Sequence, residues 1–323
     1  GVWLVDSGLG TAAAILAGAA GSLLAILPLA IGARQGLRSG LPTLVSSRAA
    51  FGRSGNVLPA LLMVIIRIVV AAAIVWAAAW VATGVLVESN YWNSEPALMH
   101  VILAAVFALV ASGIAITGRA AVAVSVWVTA GLGALALVAV VLVGLEPLNS
   151  SALSYDGGSG AQFVAGVSVV MSVLIVFWAH FGGDLARFQR SSQSATGASL
   201  SPLIAFIPVL ALLSWGVLLG ASGDETRQAL LADPFDTLLG QAPGWYPIPA
   251  ILVGALPLVA LAGLAMPSSS YAVLSMGRVI PRYVAATIAA GASALMAIAM
   301  VVFLPTFPEF VETFALLAGV VVA

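Results

Sequence analysis

Residues 177 to 190, FWAHFGGDLARFQR, carry the side chains best suited to chemistry in this sequence. They close an apolar run, Phe163 to Trp178, with residue types that lipid does not tolerate. Trp178, His180, Phe181 and Asp184 surround the pair Gly182-Gly183, and Arg187 and Arg190 follow. Two adjacent glycines weaken a helix by about 2 kcal/mol relative to alanines. Backbone loosened at membrane depth survives only where protein or a water-filled cavity satisfies its polar groups. A broken helix bearing aromatic and ionisable groups is a common way to build a solute site inside a membrane, and ionisable groups at that depth are functional by default. The plainer alternative is an interfacial helix end, with Trp178 in the aromatic belt and the arginines on the cytoplasmic side.

The elements that must position these groups follow from composition. With 62% hydrophobic and 7% charged residues over 323 positions, the chain is no soluble globule, whose charged fraction is about 25%. It reads as an all-α polytopic membrane bundle. It has no Cys, which excludes a disulfide framework or a Cys-containing metal site. Runs of about 20 apolar residues predict spans near 10–33, 57–86, 97–117, 119–145, 161–182, 200–221, 246–274 and 283–305, and a ninth from 307 onward. The ninth ends on an apolar run and the first ten residues resemble the tail of an earlier element, so the sequence reads as truncated at both ends.

The charges orient the spans. All 11 basic residues are Arg. Arg34, Arg38, Arg48, Arg53, Arg119, Arg187, Arg190, Arg278 and Arg282 fall into alternate connections, which the positive-inside rule makes cytoplasmic. The other connections hold Glu88, Glu95, Glu146, Asp156, Asp224, Glu225, Asp233, Asp236, Glu309 and Glu312, with Arg227 the one base, and Asp6 falls on the same side. Arg67, in mid-span, and Asp184 escape this sorting. An unpaired charge at that depth costs several kcal/mol, so Arg67 must face protein and find carbonyls or an acid, Asp184 being a candidate.

The first inner connection, residues 32–62, holds an extended turn at Gly40-Leu41-Pro42 and a short amphipathic piece over 46–52 that Gly52 can end. Its pattern G-L-P-x-x-x-x-S-R-x-x-F-G-x-x-G-x-x-L-P-A-L-L resembles the nucleobase:cation symporter-1 family, the purine, cytosine and related permeases. The pattern W-A-x-x-x-x-D-x-x-R-F, at Trp178, Ala179, Asp184, Arg187 and Phe188, is similar to that family's sixth helix, and AMPSSSYAVLSMG at 265–277 resembles its eighth. The resemblance implies a leucine-transporter-like fold of two inverted five-helix repeats with substrate near the membrane midplane. The spans then correspond to the second through tenth helices. Residues 1–145 form the first repeat without most of its first helix, 146–160 an outer loop, and 161–323 the second repeat.

The same resemblance assigns roles. Trp178 aligns with the aromatic that stacks on a planar base, with His180 and Phe181 in the following turn; a histidine satisfied by a backbone carbonyl is the alternative for His180. Val70 stands where members carry a third-helix Trp, and Ala265 where the eighth helix offers an Asn. Ser268, Ser269 and Ser270 supply hydroxyls nearby, although serines in membrane helices often bond their own backbone. Asp184 reads as a gate paired with Arg187 or the inner-loop arginines, or as a proton carrier, and Arg67 as its partner.

Counting back from Ala265 puts Ala260 and Val259 where sodium-dependent members carry hydroxyls, so the coupling ion is expected to be a proton, taken up by His180 or Asp184. With two histidines and no paired intramembrane acids, no enzymatic constellation competes, and no cofactor or nucleic-acid partner is called for. The expected function is ion-coupled transport of a nucleobase such as cytosine or a purine, or a related planar heterocycle, by a multi-pass protein of the plasma membrane. The alternatives are an amino-acid or other small-solute carrier of the same fold, or a non-transporting remnant. Two smaller expectations concern the outer face. Gly216 and Gly220, a G-x-x-x-G pair, mark a close helix crossing, and Ser222 caps a short outer helix with acids in its first turn.

Overall fold

The computed structural model describes residues 1–92, 95–117, 119–143, 148–178, 181–189, 192, 194–239, 247–277 and 280–322. Within them the chain is helical throughout. In order the helices are α1 (Val2–Asp6), α2 (Thr11–Ser39), α3 (Thr43–Ser46), α4 (Arg48–Gly55), α5 (Val57–Glu88), α6 (Pro96–Thr117), α7 (Arg119–Val143), α8 (Gly160–Trp178) and α9 (Phe181–Ala186). They continue with α10 (Ala195–Ala221), α11 (Asp224–Ala232), α12 (Pro234–Leu239), α13 (Pro247–Ala250), α14 (Leu256–Ser275), α15 (Arg282–Phe303) and α16 (Phe307–Val322). A 3₁₀ turn spans Ser150–Ser154 and a π-helical turn spans Ile251–Ala255. The π turn has a local cause: Pro257 has no N–H to give the carbonyl one turn back, so the bonding pattern shifts before the regular helix resumes.

Among the described residues 8 helical segments are long and apolar enough to cross a membrane, in the register expected for the first eight spans; α16, expected as a ninth, has 16 residues and is not among them. Helices are the form in which a chain buries every backbone polar group without a partner strand. Their ends carry the expected punctuation. Gly40, at φ 66°, closes α2 in the left-handed region, Pro42 holds the extended turn, and Gly52, at φ 69°, breaks the amphipathic piece within α4.

The helices sort into two compact units, each drawing on both halves of the sequence. The first comprises Gly1–Leu41, Ala139–Gln241 and Thr306–Ala323. Here α2 is the central post, packed by α8, α9 and α10, with α16 on α8 and α1 on α10. Gly216 and Gly220 lie under α1: a Cβ on Gly216 would stand 3.3 Å from the Gly1 Cα, and one on Gly220 3.1 Å from the Val2 Cα. The glycine pair thus marks a close crossing, as its spacing predicts. Arg227 ties α11 to α1 through Asp6, at 3.5 Å, while also pairing with Asp224. Ser222 does not cap α11. Its hydroxyl donates to the Leu218 carbonyl, and Gly223 occupies the cap position.

The second unit comprises Pro42–Val138 and Ala242–Pro305. Its helices meet on stripes of small residues. Ala104, Ala108, Ala111 and Ala115 of α6, spaced along one face, are all buried, as are Ala285, Ala286, Ala289, Ala290, Ser293 and Ala297 of α15. Where both neighbours and lipid are apolar, close backbone approach and dispersion drive packing, and small side chains permit both.

Candidate functional site

The break expected after the apolar run of α8 falls on Ala179 and His180, which lie outside the described residues. The described part of α8 runs to Trp178, and α9 begins at Phe181. The Trp178 and Phe181 rings sit 6.0 Å apart at 51°. Phe181 and Asp184 are buried, and the Arg187 guanidinium lies 4.4 Å from the centre of the Phe188 ring.

The role of Gly182 differs from the sequence reading. A Cβ on Gly182 would stand 2.3 Å from the Leu29 carbonyl oxygen, and one on Gly36 would stand 2.4 Å from the Gly183 carbonyl oxygen. Gly182 on α9 and Gly36 on α2 thus let the two helices lie backbone to backbone, which fastens α9 to the central post.

Trp178 also walls a cavity of about 220 Å³ within this unit. Ser22, Ala25, Ile26 and Leu29 of α2 form one side, Leu174 and Trp178 of α8 a second, and Pro202, Phe206 and Val209 of α10 a third. Ser22 supplies its one aliphatic hydroxyl.

Val70, Ala265, Ser268 and Arg67 gather in the second unit, where α5 packs on α14, and each is 1% exposed. Arg67 finds a carbonyl, as a charge at this depth must: its guanidinium donates to the Ser268 backbone oxygen. Ser270 returns its hydroxyl to the Pro267 carbonyl at 2.6 Å, the self-bonding expected of serine in a membrane helix. The Ser269 hydroxyl is buried without a hydrogen-bond partner among the described residues. The site residues read from the sequence therefore form two groups: Trp178, Phe181, Asp184 and Arg187 in the first unit, and Val70, Ala265, Ser268 and Arg67 in the second. Val259 and Ala260 of α14 are buried and carry no side-chain oxygen.

Two clusters escaped the sequence reading. Arg48, counted there as one inner-face charge among several, closes the C-terminus of α14, its Nε donating to the Ser275 carbonyl at 2.9 Å and its Nη2 to that of Leu274 at 2.8 Å. A cation on the last carbonyls of a helix satisfies orphan acceptors and complements the dipole. Asn56 assists: its Nδ2 donates to the Leu44 carbonyl, and its Oδ1 accepts from the Ser47 hydroxyl at 2.6 Å.

The second cluster lies in the C-terminal half of α5. Trp76 stacks on Trp80 at 5.0 Å, and the His100 ring meets both edge-on at 5.3 Å. The Trp76 indole donates to the Leu304 carbonyl at 3.2 Å, and His100 Nε2 lies 3.3 Å from the Trp76 carbonyl. Their aromatic types were the available signal, but nothing local joins residue 100 to residues 76 and 80.

Comparisons with known proteins bear on the family and the fold. The model of the family described as permeases for cytosine/purines, uracil, thiamine and allantoin matches residues 1–321. The chain belongs to this permease family. Among solved structures the permease is similar to Mhp1, described as a nucleobase-cation-symport-1 family transporter in a closed conformation with bromovinylhydantoin bound. The TM-score is 0.68 at 18% identity, covering 97% of this chain and 70% of that one. At that identity the likeness establishes the fold, a leucine-transporter-like helical bundle. No curated protein matches the sequence. The permease is thus a multi-pass membrane protein of a transporter family, and not an enzyme.

Proposed function

We propose that the permease is a secondary active transporter of a planar, nucleobase-like heterocycle, working by alternating access in the plasma membrane. Residues 1–145 and 161–323 act as its two inverted repeats, joined by the outer loop 146–160. The observation that carries this reading is the Trp178 indole beside the Phe181 ring, on the wall of an apolar cavity of the first unit. Stacking on an aromatic side chain is worth roughly 1–3 kcal/mol per base and tolerates different rings. Mhp1 is described with a hydantoin, itself a planar ring rich in amide groups, and this supports the class. Trp178 stacks on the substrate, Phe181 and His180 complete that wall, and Asp184 and Arg187 form the gating or proton-coupling pair below it.

The coupling ion in this reading is a proton. A hard cation takes about six oxygen ligands, and α14 offers hydrocarbon at Val259 and Ala260, whereas a proton requires one titratable group, Asp184 or His180. The test is uptake by the purified full chain in proteoliposomes, across a panel of nucleobases, hydantoins and amino acids. Saturable uptake of one heterocycle, inhibited by others and indifferent to amino acids, is the expected result. Uptake of amino acids alone would move the permease to the other carrier class.

A further inference from the structure

Serines within these helices usually return their hydroxyl to a carbonyl one turn back: Ser168 donates to Val164 at 2.8 Å and Ser293 to Ala289 at 2.9 Å. Ser22 does not. It is 1% exposed, and its Oγ has no hydrogen-bond partner among the described residues. An unmade hydrogen bond at a buried hydroxyl is expensive, and this hydroxyl belongs to the wall of the cavity shared by α2, α8 and α10.

The depth of the cavity narrows what can satisfy it. Ser22 lies about 16 Å along α2 from Thr11, at 1.5 Å per residue, which is mid-depth in a hydrocarbon layer of about 30 Å. A lipid chain carries no hydrogen-bonding group at that depth. A nucleobase carries several around its rim, and walls of Ala25, Ile26, Leu174 and Phe206 would leave most of them unpaired, each at a penalty. The cavity, about 220 Å³, is also smaller than the sites of about 300–1,000 Å³ that take drug-sized ligands. What matches is a small uncharged aromatic ring bearing one hydrogen-bonding group.

We propose that this cavity is a second binding site, for a small uncharged aromatic of the phenol class, with its polar atom on the Ser22 hydroxyl and its ring against Trp178. It rests on the transport reading only through Trp178: a ligand here fixes the indole on which the substrate stacks, and so modulates uptake without taking the substrate's place.

The test titrates fluorophenol and fluorotoluene onto the full chain in lipid nanodiscs and follows their fluorine NMR line widths. Saturable binding of fluorophenol, tighter than that of fluorotoluene, is expected. Ser22→Ala weakens fluorophenol by about fivefold, one hydrogen bond's worth, and leaves fluorotoluene unchanged. Ala25→Phe fills the cavity and removes both; should that variant misfold, Ser22→Ala decides alone. Absence of saturable binding, equal binding of the two probes to the unmodified protein, which marks a lipid-tail crevice, or fluorophenol affinity unaltered by Ser22→Ala would each overturn the proposal. Intact fluorophenol binding in a protein that takes up no heterocycle would instead remove the transport reading and leave this one standing.

Discussion

Replacing Gly182 by alanine tests how α9 is held against α2. The added methyl carbon would stand 2.3 Å from the Leu29 carbonyl oxygen and 2.8 Å from the Ala33 amide nitrogen. Both are backbone atoms of α2, so neither can swing aside. Opening the shorter contact to the 3.0 Å that real Cβ atoms respect requires α9 and α2 to part by 0.7 Å, from 2.3 to 3.0 Å. Overpacking of this kind costs about 1–3 kcal/mol, while alanine returns up to about 1 kcal/mol of helix propensity. A net destabilisation of about 1–2 kcal/mol follows. Gly291 of α15 is the control: a Cβ there meets nothing within 4 Å, so Gly291→Ala collects the propensity gain alone. The assay heats each variant in detergent and measures the fraction that remains monodisperse by size exclusion. Gly182→Ala is expected below the parent protein and Gly291→Ala at or above it. A Gly182→Ala protein as heat-stable as Gly291→Ala would refute the backbone contact.

Other perturbations probe separate parts of the account. Arg48→Met strips the Leu274 and Ser275 carbonyls of charged donors worth about 1.5–3 kcal/mol each at most; it should lower heat stability, and Arg48→Lys should recover only part of the loss, because a single ammonium does not reproduce the two-pronged guanidinium. Trp76→Phe keeps the ring against Trp80 and removes the donor to Leu304, so a loss of about 0.5–1.5 kcal/mol is expected, and none if that bond contributes nothing. Replacing sodium by choline at fixed pH should leave the initial uptake rate unchanged, while an imposed pH gradient should drive uptake; a collapse in choline without response to pH would exclude proton coupling.

The spans were legible because apolar length is a statement about local composition. The meaning of Gly182 was not, because the atoms that require glycine there belong to Leu29 and Ala33, far away in sequence. Arg48 shows the same limit. The sequence offers its charge, but the carbonyls it caps lie more than two hundred residues later. The same holds for His100, whose partners are on α5, and for the α14 hydroxyls, where Ser270 turns to its own backbone while Ser269 does not. Short-range signals thus placed the helices, and the contacts that hold the candidate site are long-range.

The central claim is that a planar heterocycle stacks on Trp178, and substrate affinity of Trp178 variants tests it most directly. Initial uptake of the preferred heterocycle would be measured over a range of concentrations for the unmodified protein, Trp178→Phe and Trp178→Ala, with insertion and heat stability checked for each. Loss of roughly 1–3 kcal/mol of stacking corresponds to an affinity about 5- to 150-fold weaker in Trp178→Ala. Trp178→Phe, which retains a smaller ring, should fall between the two. Unchanged affinity of Trp178→Ala for every nucleobase and hydantoin transported would contradict the account.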